Sequence, residues 1–192
     1  MFHVKPVFFL FAVSGIMHAG IIASGTETIT GSESANGTSR LDRNGVDSTW
    51  ASPKAFPGTL ACGGGTCFFE TLTFAPGSLQ YVQVTETSIS GTIFVAAYLD
   101  SFSNAALGTN YLGDPGSTTT IGGSVAFQVF VPTGRNLILV FNNIPGSPTD
   151  NQLGSVGYLV EGFTSPPTPE PASFGLAALG LAALAVVRKR IA

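Results

Sequence analysis

The chain has 192 residues, enough for one domain with a hydrophobic core and too few for two of ordinary size. Only 10% of its residues are charged, whereas about a quarter are charged in an ordinary globular protein. Between residues 20 and 165, four basic residues accompany ten acidic ones, which leaves a net charge of −6. A body of this kind has no patch that neutralises phosphates, so the composition argues against nucleic acid as a partner.

The N-terminal residues 1–23 have the layout of a secretory signal peptide. Lys5 precedes a short apolar run, and small residues follow near Ala19 and Ala23. The apolar run is about half the ~20 residues that a membrane span needs, so the pattern favours export over a first transmembrane helix. We predict cleavage after either Ala19 or Ala23.

The histidines and acids of the chain offer little for catalysis. Both histidines, His3 and His18, lie in the predicted signal peptide, so the mature protein has neither a histidine-based catalytic triad nor a histidine-ligated metal site. A glycosidase needs two opposed carboxylates about 5–9.5 Å apart, and no spacing here selects such a pair. Glu70 and Glu86 are expected at exposed strand positions. The sequence therefore favours a non-enzymatic protein, with a secreted hydrolase as the less favoured alternative.

The body, residues 24–164, shows the pattern of strands. Apolar and polar residues alternate in six segments, residues 70–74, 79–85, 92–99, 124–131, 136–141 and 156–163. Turns that contain Gly and Pro separate these segments, and no helical periodicity interrupts them. We therefore predict an all-β fold, an antiparallel β-sandwich of about seven to nine strands, with the jelly roll as the favoured topology.

Cys62 and Cys67 bracket a glycine-rich loop. In the oxidising compartment to which an exported protein goes, two cysteines at this spacing most simply form a disulfide. A metal site would need further soft ligands, which the mature chain lacks, and a redox pair is usually spaced Cys-x-x-Cys. We predict a structural disulfide that stabilises the fold by about 2 kcal/mol in the chain-entropy model.

Asp100, Asn110 and Asp114 cluster in the sequence around one loop. Carboxylate and amide oxygens are the ligands that Ca²⁺ prefers, so these residues form a candidate calcium site. Asp and Asn also cap tight turns, and Asp114 begins the turn signature Asp-Pro-Gly. Turn chemistry is the favoured interpretation, and the sequence indicates no other cofactor.

Trp50, Tyr98 and Tyr111 are candidates for stacking against sugar rings. The alternative is that these rings pack into the core and its loops, as most of the 15 phenylalanines must. Packing is the favoured interpretation. Exposure of all three rings on one face would instead favour a carbohydrate-binding module.

Three segments of the body carry a resemblance: YLDSF at residues 98–102, NYLGDPGS at 110–117 and FVPTG at 130–134. They resemble a jelly-roll module of secreted bacterial proteins, akin to pre-peptidase C-terminal and carbohydrate-binding-like sandwiches. Residues 40–45 and 54–58 fit the usual beginning of that module, so the resemblance spans about residues 38–163. It implies the sandwich fold and leaves the activity open, because such sandwiches host many functions.

The C-terminal end combines a proline-rich linker, an apolar run and a basic tail. The linker, residues 165–171, ends in Pro169, Glu170 and Pro171; residues 172–187 are uncharged; Arg188, Lys189 and Arg190 open the tail, residues 188–192. As a helix the uncharged run would reach about 24 Å against a hydrocarbon core of about 30 Å, a short span that local bilayer thinning accommodates. The basic residues place the tail in the cytoplasm and the body outside.

These three parts resemble the PEP-CTERM sorting signal of bacterial exported proteins, which is also labelled an ice-binding-protein C-terminal motif. The resemblance implies that an exosortase in the inner membrane recognises the segment, cleaves near Pro-Glu-Pro and releases or re-anchors the body. It also implies an association with exopolysaccharide and biofilm matrix. We therefore expect a body held transiently in the periplasm by its membrane helix and then placed at the cell surface or outside. Its expected role is structural or interactive, with a carbohydrate-binding module, stabilised by calcium, as the alternative.

Overall fold

The computed structural model describes residues 19–35, 39–63, 65–145 and 153–167. These residues form eleven β-strands. Four strands have three residues or fewer: β2 (Ser34–Ala35), β3 (Ser39–Leu41), β4 (Thr59–Ala61) and β8 (Tyr111–Gly113). The longer strands are β1 (Gly20–Ile29), β5 (Phe68–Phe74), β6 (Tyr81–Ser90), β7 (Ile93–Leu99), β9 (Ser124–Phe130), β10 (Leu137–Asn143) and β11 (Gly154–Phe163).

Two antiparallel sheets build the body. A four-stranded sheet has the order β1-β11-β6-β9, a five-stranded sheet has the order β2-β5-β10-β7-β8, and β3 pairs with β4 beside them. From β5 to β11 the chain changes sheet at every connection except the one between β7 and β8, which are neighbours. The two sheets are therefore interwoven along the chain.

The main hydrophobic core lies between the two sheets. The alternation of β9 places Phe127 and Val129 inward, opposite Val84 and Val82 of the neighbouring β6. The buried members of this core are Ile29, Val82, Val84, Ile93, Val95, Ala97, Phe127, Val129, Val131, Leu137, Leu139, Phe141, Val156 and Val160. Full burial of one large apolar side chain contributes roughly 1.5–3 kcal/mol, so this layer is the main source of stability.

A second apolar cluster covers the outer face of the five-stranded sheet. It comprises Leu41, Phe94, Ala96, Tyr98, Leu107, Ile138, Val140 and Ile144. Strands β7 and β10 are therefore buried on both faces, which explains why their sequences are apolar almost without interruption. The outward positions of β6 and β9 in the four-stranded sheet remain at least partly exposed, so that sheet keeps an open face.

The prediction of an all-β, antiparallel fold is confirmed, and strands occupy all six predicted segments. Strand β1 lies outside the six predicted segments: its residues 20–23 were assigned to the signal peptide, and no strand was predicted for residues 24–29 of the body. Residues 1–18 of that peptide and the predicted membrane helix, residues 172–187, lie outside the described residues. Across the ranges that the structure describes, there is no helix with the length and apolar character needed to cross a membrane.

Candidate functional site

A buried polar cluster lies just beyond β8. Nζ of Lys54 forms an ion pair with Oδ1 of Asp114, and the two side chains are only 3% and 0% exposed. The hydroxyl of Tyr111 donates a hydrogen bond to Oδ2 of the same carboxylate. The amide of Gly116 donates to Oδ1 over 2.6 Å. The Asp114 carboxylate therefore has one cation and two hydrogen-bond donors around it and no contact with solvent.

Ser48 holds the loop that carries Lys54. Its amide donates to the carbonyl of Asp114 over 3.0 Å, and its carbonyl accepts from the amide of Gln128 over 2.8 Å. Its hydroxyl accepts from the amide of Lys54 over 3.4 Å. A Cβ atom at Gly113 would lie 2.6 Å from the Ser48 side chain, so the close approach requires glycine there. The loop thus links the edge of one sheet, at β8, to the edge of the other, at β9.

Two tyrosines lie close to the Asp114 carboxylate. The rings of Tyr98 and Tyr111 meet edge to face, with centroids 5.9 Å apart. Burial raises the pKa of both phenols well above the ordinary value, and the charge of Asp114 raises each further. The Tyr98 hydroxyl finds no hydrogen-bond partner among the described residues. Both hydroxyls therefore stay protonated beside the carboxylate.

Glu86 is a second acid in the interior. It is 1% exposed and follows Val82 and Val84 on the inward face of β6. Burial raises the pKa of its carboxyl well above the usual value; the backbone of Val95 offsets this in part, and the charge of Asp114 adds to it. Within the described ranges neither carboxyl oxygen has a well-formed hydrogen bond. The expectation that Glu86 is exposed is wrong, because the alternation that buries the two valines also buries Glu86.

The acids proposed as calcium ligands have cationic partners. Asp100, which is partly exposed, pairs with Arg135, and this hydrogen bond lowers the pKa of the carboxyl. Asp114 pairs with Lys54 in the interior. No group of three or more His, Cys, Asp or Glu side chains that could hold a metal ion occurs in the part of the chain that the structure describes.

The local geometry of Asp100 and Asn110 is that of turns. Both residues have a φ of 61°, in the left-handed region that Asn and Asp tolerate better than most residues. Asn110 donates a hydrogen bond to the hydroxyl of Ser101 over 2.9 Å. The amide of Asn136 donates to Asp100 over 2.8 Å. These bonds favour the turn interpretation over a calcium site.

Chelation of divalent cations is expected to leave the melting temperature of the protein unchanged. The physical reason is that Asp114 already has Lys54 as its counter-ion, and Asp100 has Arg135. Thermal unfolding followed by circular dichroism, with and without EDTA, measures this. A lower melting temperature that added Ca²⁺ restores would contradict the expectation and support the calcium site.

Trp50, Tyr98 and Tyr111 do not share an exposed face. Tyr98 is 0% exposed, because the apolar cluster on the five-stranded sheet covers it. Trp50 lies against the other sheet, where its ring packs edge-on to Tyr81 and Phe163 at centroid distances of 6.1 and 5.4 Å. A stacking surface built from these three candidates is therefore not formed.

A different aromatic row lies at one end of the open face. Phe163, Tyr81 and Phe130 are cross-strand neighbours on β11, β6 and β9, and Trp50 packs beside them. Phe130 is 44% exposed. Sequence reasoning missed this row, although the alternation of β9 already places Phe130 on the face opposite its buried neighbours. The signal that would have found it is the pairing of three outward aromatic positions across strands.

The next row on the open face is polar. Gln128 donates a hydrogen bond to Gln83 over 3.0 Å, and Gln83 reaches Glu161 over 3.5 Å. These three residues are cross-strand neighbours on β9, β6 and β11. The open face therefore combines aromatic rings with a line of amide and carboxylate groups.

Cys62 and Cys67 form the predicted disulfide. Their Cα atoms are 5.9 Å apart, and both residues are buried. The bond closes the loop between β4 and β5. It is consistent with a protein that reaches an oxidising compartment.

The two ends of the described body meet on the four-stranded sheet. Gly20, the first residue of β1, pairs with Gly162 near the end of β11. Residues 1–18 and 168–192 are therefore attached at the same end of that sheet, which is also the end that carries the aromatic row.

The segment that follows β11 has three parts. It contains Pro-Glu-Pro, the uncharged run and the basic tail. Residues 167–190 match the PEP-CTERM protein-sorting motif. The resemblance seen in the sequence is confirmed for this segment. A PEP-CTERM motif is recognised by an exosortase during sorting, and it implies export and membrane-associated sorting toward the cell surface.

Comparison with curated proteins and with solved structures finds no match to the chain. The resemblance of the body to a secreted jelly-roll module therefore stays a prediction. The PEP-CTERM match covers only the C-terminal segment, so it identifies the sorting of the protein and not the chemistry of its body.

Proposed function

We propose that the protein is exported, sorted by an exosortase and retained as a non-enzymatic component of the cell surface or extracellular matrix. The observation that carries this proposal is the PEP-CTERM motif at residues 167–190. The disulfide supports it, since disulfides persist outside the reducing cytosol. The burial of Glu86 and Asp114 also supports it, because a substrate in solution does not reach either acid.

The route we propose starts with cleavage of the signal peptide after Ala19. Strand β1 begins at Gly20 and pairs with β11 from that residue on, so cleavage after Ala23 would remove the start of the strand. Residues 172–187 then hold the body at the inner membrane, with the basic tail in the cytoplasm. Cleavage near Pro169-Glu170-Pro171 releases or re-anchors the body.

We describe the body in this proposal as a jelly roll. The support is its strand order: β1, β11, β6 and β9 form one sheet, while β5, β10, β7 and β8 form the facing one. Eight strands divided in this order between two antiparallel sheets are what a doubled Greek key produces. Such a rigid sandwich suits a structural or interaction role without dictating a reaction.

Replacing Pro169, Glu170 and Pro171 with alanine is expected to leave the apolar tail attached. In the producing cells the variant should then accumulate in the membrane fraction, with an intact mass that includes residues 172–192. The matched control alters Ser165 and Pro166, which precede the motif match and should leave processing normal. Removal of the tail from the triple variant at the normal rate would contradict the proposed processing.

A second candidate function is carbohydrate binding on the open face of the four-stranded sheet. The supporting observation is the aromatic row beside the polar row, since sugar rings stack on aromatic faces while their hydroxyls bond to amides and carboxylates. Phe130 is the exposed ring of this row, whereas Trp50, Tyr81 and Phe163 are partly buried.

The carbohydrate candidate predicts that Phe130→Ala weakens binding to exopolysaccharide from the producing cells. A stacking contact of about 1 kcal/mol corresponds to roughly fivefold in affinity. The matched control is Ile89→Ala, an exposed apolar residue towards the other end of β6. The measurement is retention of each purified protein on immobilised polysaccharide. Failure of the unaltered protein to bind would exclude this candidate and leave the sorting proposal standing.

A further inference from the structure

The Lys54–Asp114 pair lies outside the sorting motif, and it brings an amine and a carboxyl group together in a dry interior. Lys54 lies in the connection between β3 and β4, and Asp114 follows β8, 60 residues later in the chain. Nζ contacts Oδ1, so the amine nitrogen lies beside the carboxyl carbon, and both side chains are almost completely buried.

Keeping this pair ionised costs free energy. Both charges lose their hydration on burial, and the attraction between them only partly offsets that loss. Condensation into a neutral amide would remove both charges from the interior. Two reactants held in contact by a folded protein also react as if at very high concentration, with effective molarities of about 10⁵–10⁸ M in well-oriented cases.

We propose that Lys54 and Asp114 condense into an intramolecular isopeptide bond once the chain has folded. The nitrogen of Lys54 bonds to Cγ of Asp114, and the bond from Cγ to Oδ1 breaks. The lysine ammonium group gives up two protons, which leave with Oδ1 as one water molecule. The third proton stays on the amide nitrogen, so the reaction consumes no oxidant, cofactor or co-reactant.

The hydrogen bonds of the cluster suit this reaction. Tyr111 donates to Oδ2, the oxygen that becomes the amide carbonyl. That oxygen carries the negative charge of the tetrahedral intermediate, and a donor already aimed at it stabilises the charge as it develops. Gly116 donates to Oδ1 over 2.6 Å and holds the oxygen that leaves.

The product would be a covalent link between two parts of the body that are distant in sequence. It would tie the β3–β4 connection to the end of β8, beside the edge at which the two sheets meet. Unlike the disulfide between Cys62 and Cys67, this link would survive reducing agents. The proposal is independent of how the C-terminal segment is processed.

Peptide mapping of the full-length protein after denaturation and reduction tests the proposal. Cleavage after glutamate separates residues 34–70, which contain Lys54, from residues 87–161, which contain Asp114. Both cysteines lie within the first peptide, so the disulfide cannot join the two. We expect the two peptides to be recovered as one species, with their summed mass less one water molecule and with fragment ions that place the junction at Lys54 and Asp114.

The matched control is Lys54→Arg, which keeps the positive charge and removes the nucleophilic amine. Its two peptides are expected to separate at the masses that the sequence gives. Recovery of separate, unmodified peptides from the unaltered protein would overturn the proposal and leave a buried ion pair. A joined species with its junction at any other pair of residues would overturn it as well. Both of these overturning results come from the unaltered protein, so neither depends on the folding of the Lys54→Arg variant.

Discussion

The Glu86→Gln variant is expected to melt at a higher temperature than the unaltered protein at pH 8 and at nearly the same temperature at pH 4. The pKa of Glu86 is raised in the folded state, chiefly by burial. The stabilisation that comes from this raised pKa is therefore complete below the unfolded pKa of about 4.3. As the pH rises from there toward the folded pKa, the free energy of unfolding falls by up to about 1.4 kcal/mol per pH unit. Glutamine, which is uncharged throughout, avoids that loss.

The measurement is the melting temperature of both proteins by calorimetry between pH 4 and pH 8. The matched control is Glu161→Gln, which alters a partly exposed acid on the open face of the same sheet. The melting temperature of Glu161→Gln should follow the pH in nearly the same way as that of the unaltered protein. A difference between Glu86→Gln and the unaltered protein that is constant across the range would contradict the account. Burial persists if Asp114 is condensed with Lys54, so the result does not depend on that bond.

Phe141→Ala is expected to destabilise the body by about 3–5 kcal/mol, the usual cost when a fully buried phenylalanine is removed and a cavity stays behind. Phe141 is 0% exposed, belongs to the core between the sheets and packs against Tyr158 at a ring-centroid distance of 5.6 Å. The measurement is the free energy of unfolding from urea titrations.

The matched control for this prediction is Phe130→Ala, which removes the same side chain from an exposed position on the open face. Surface substitutions usually change stability by no more than about 0.5 kcal/mol. Equal losses for the two variants would mean that the core does not lie between the two sheets as described. A small loss for Phe141→Ala alone would lead to the same conclusion.

The fold class could be predicted because alternation is a local signal. In β9 the residues Val125, Phe127 and Val129 lie on one side from their spacing alone, and the structure buries Phe127 and Val129. The disulfide could be predicted for a similar reason, since Cys62 and Cys67 are close in sequence. These features need no knowledge of how distant segments meet.

The polar cluster could not be predicted, because its members come together only through the order of the strands. Lys54 and Asp114 are 60 residues apart, and neither has a neighbour in sequence that indicates the other. Tyr98 was a candidate for sugar stacking, which requires an exposed ring. The outer face of its sheet is itself covered, so both sides of β7 are buried.

The start of the body shows a different limit of sequence reasoning. Residues 20–23 are small or apolar, which fits the end of a signal peptide as well as the start of a strand. Only the pairing of Gly20, Ile21 and Ala23 with residues of β11 assigns this stretch to β1. The same pairing is what favours cleavage after Ala19.

The measurement that tests the central claim most directly is the intact mass of the protein recovered from the surface and medium of the producing cells, with both termini identified by peptide mapping. Signal-peptide cleavage after Ala19 predicts a chain that begins at Gly20, and sorting through the PEP-CTERM motif predicts that it ends near Pro169-Glu170-Pro171, without residues 172–192. Recovery of a surface protein that still carries the complete C-terminal tail would contradict exosortase processing.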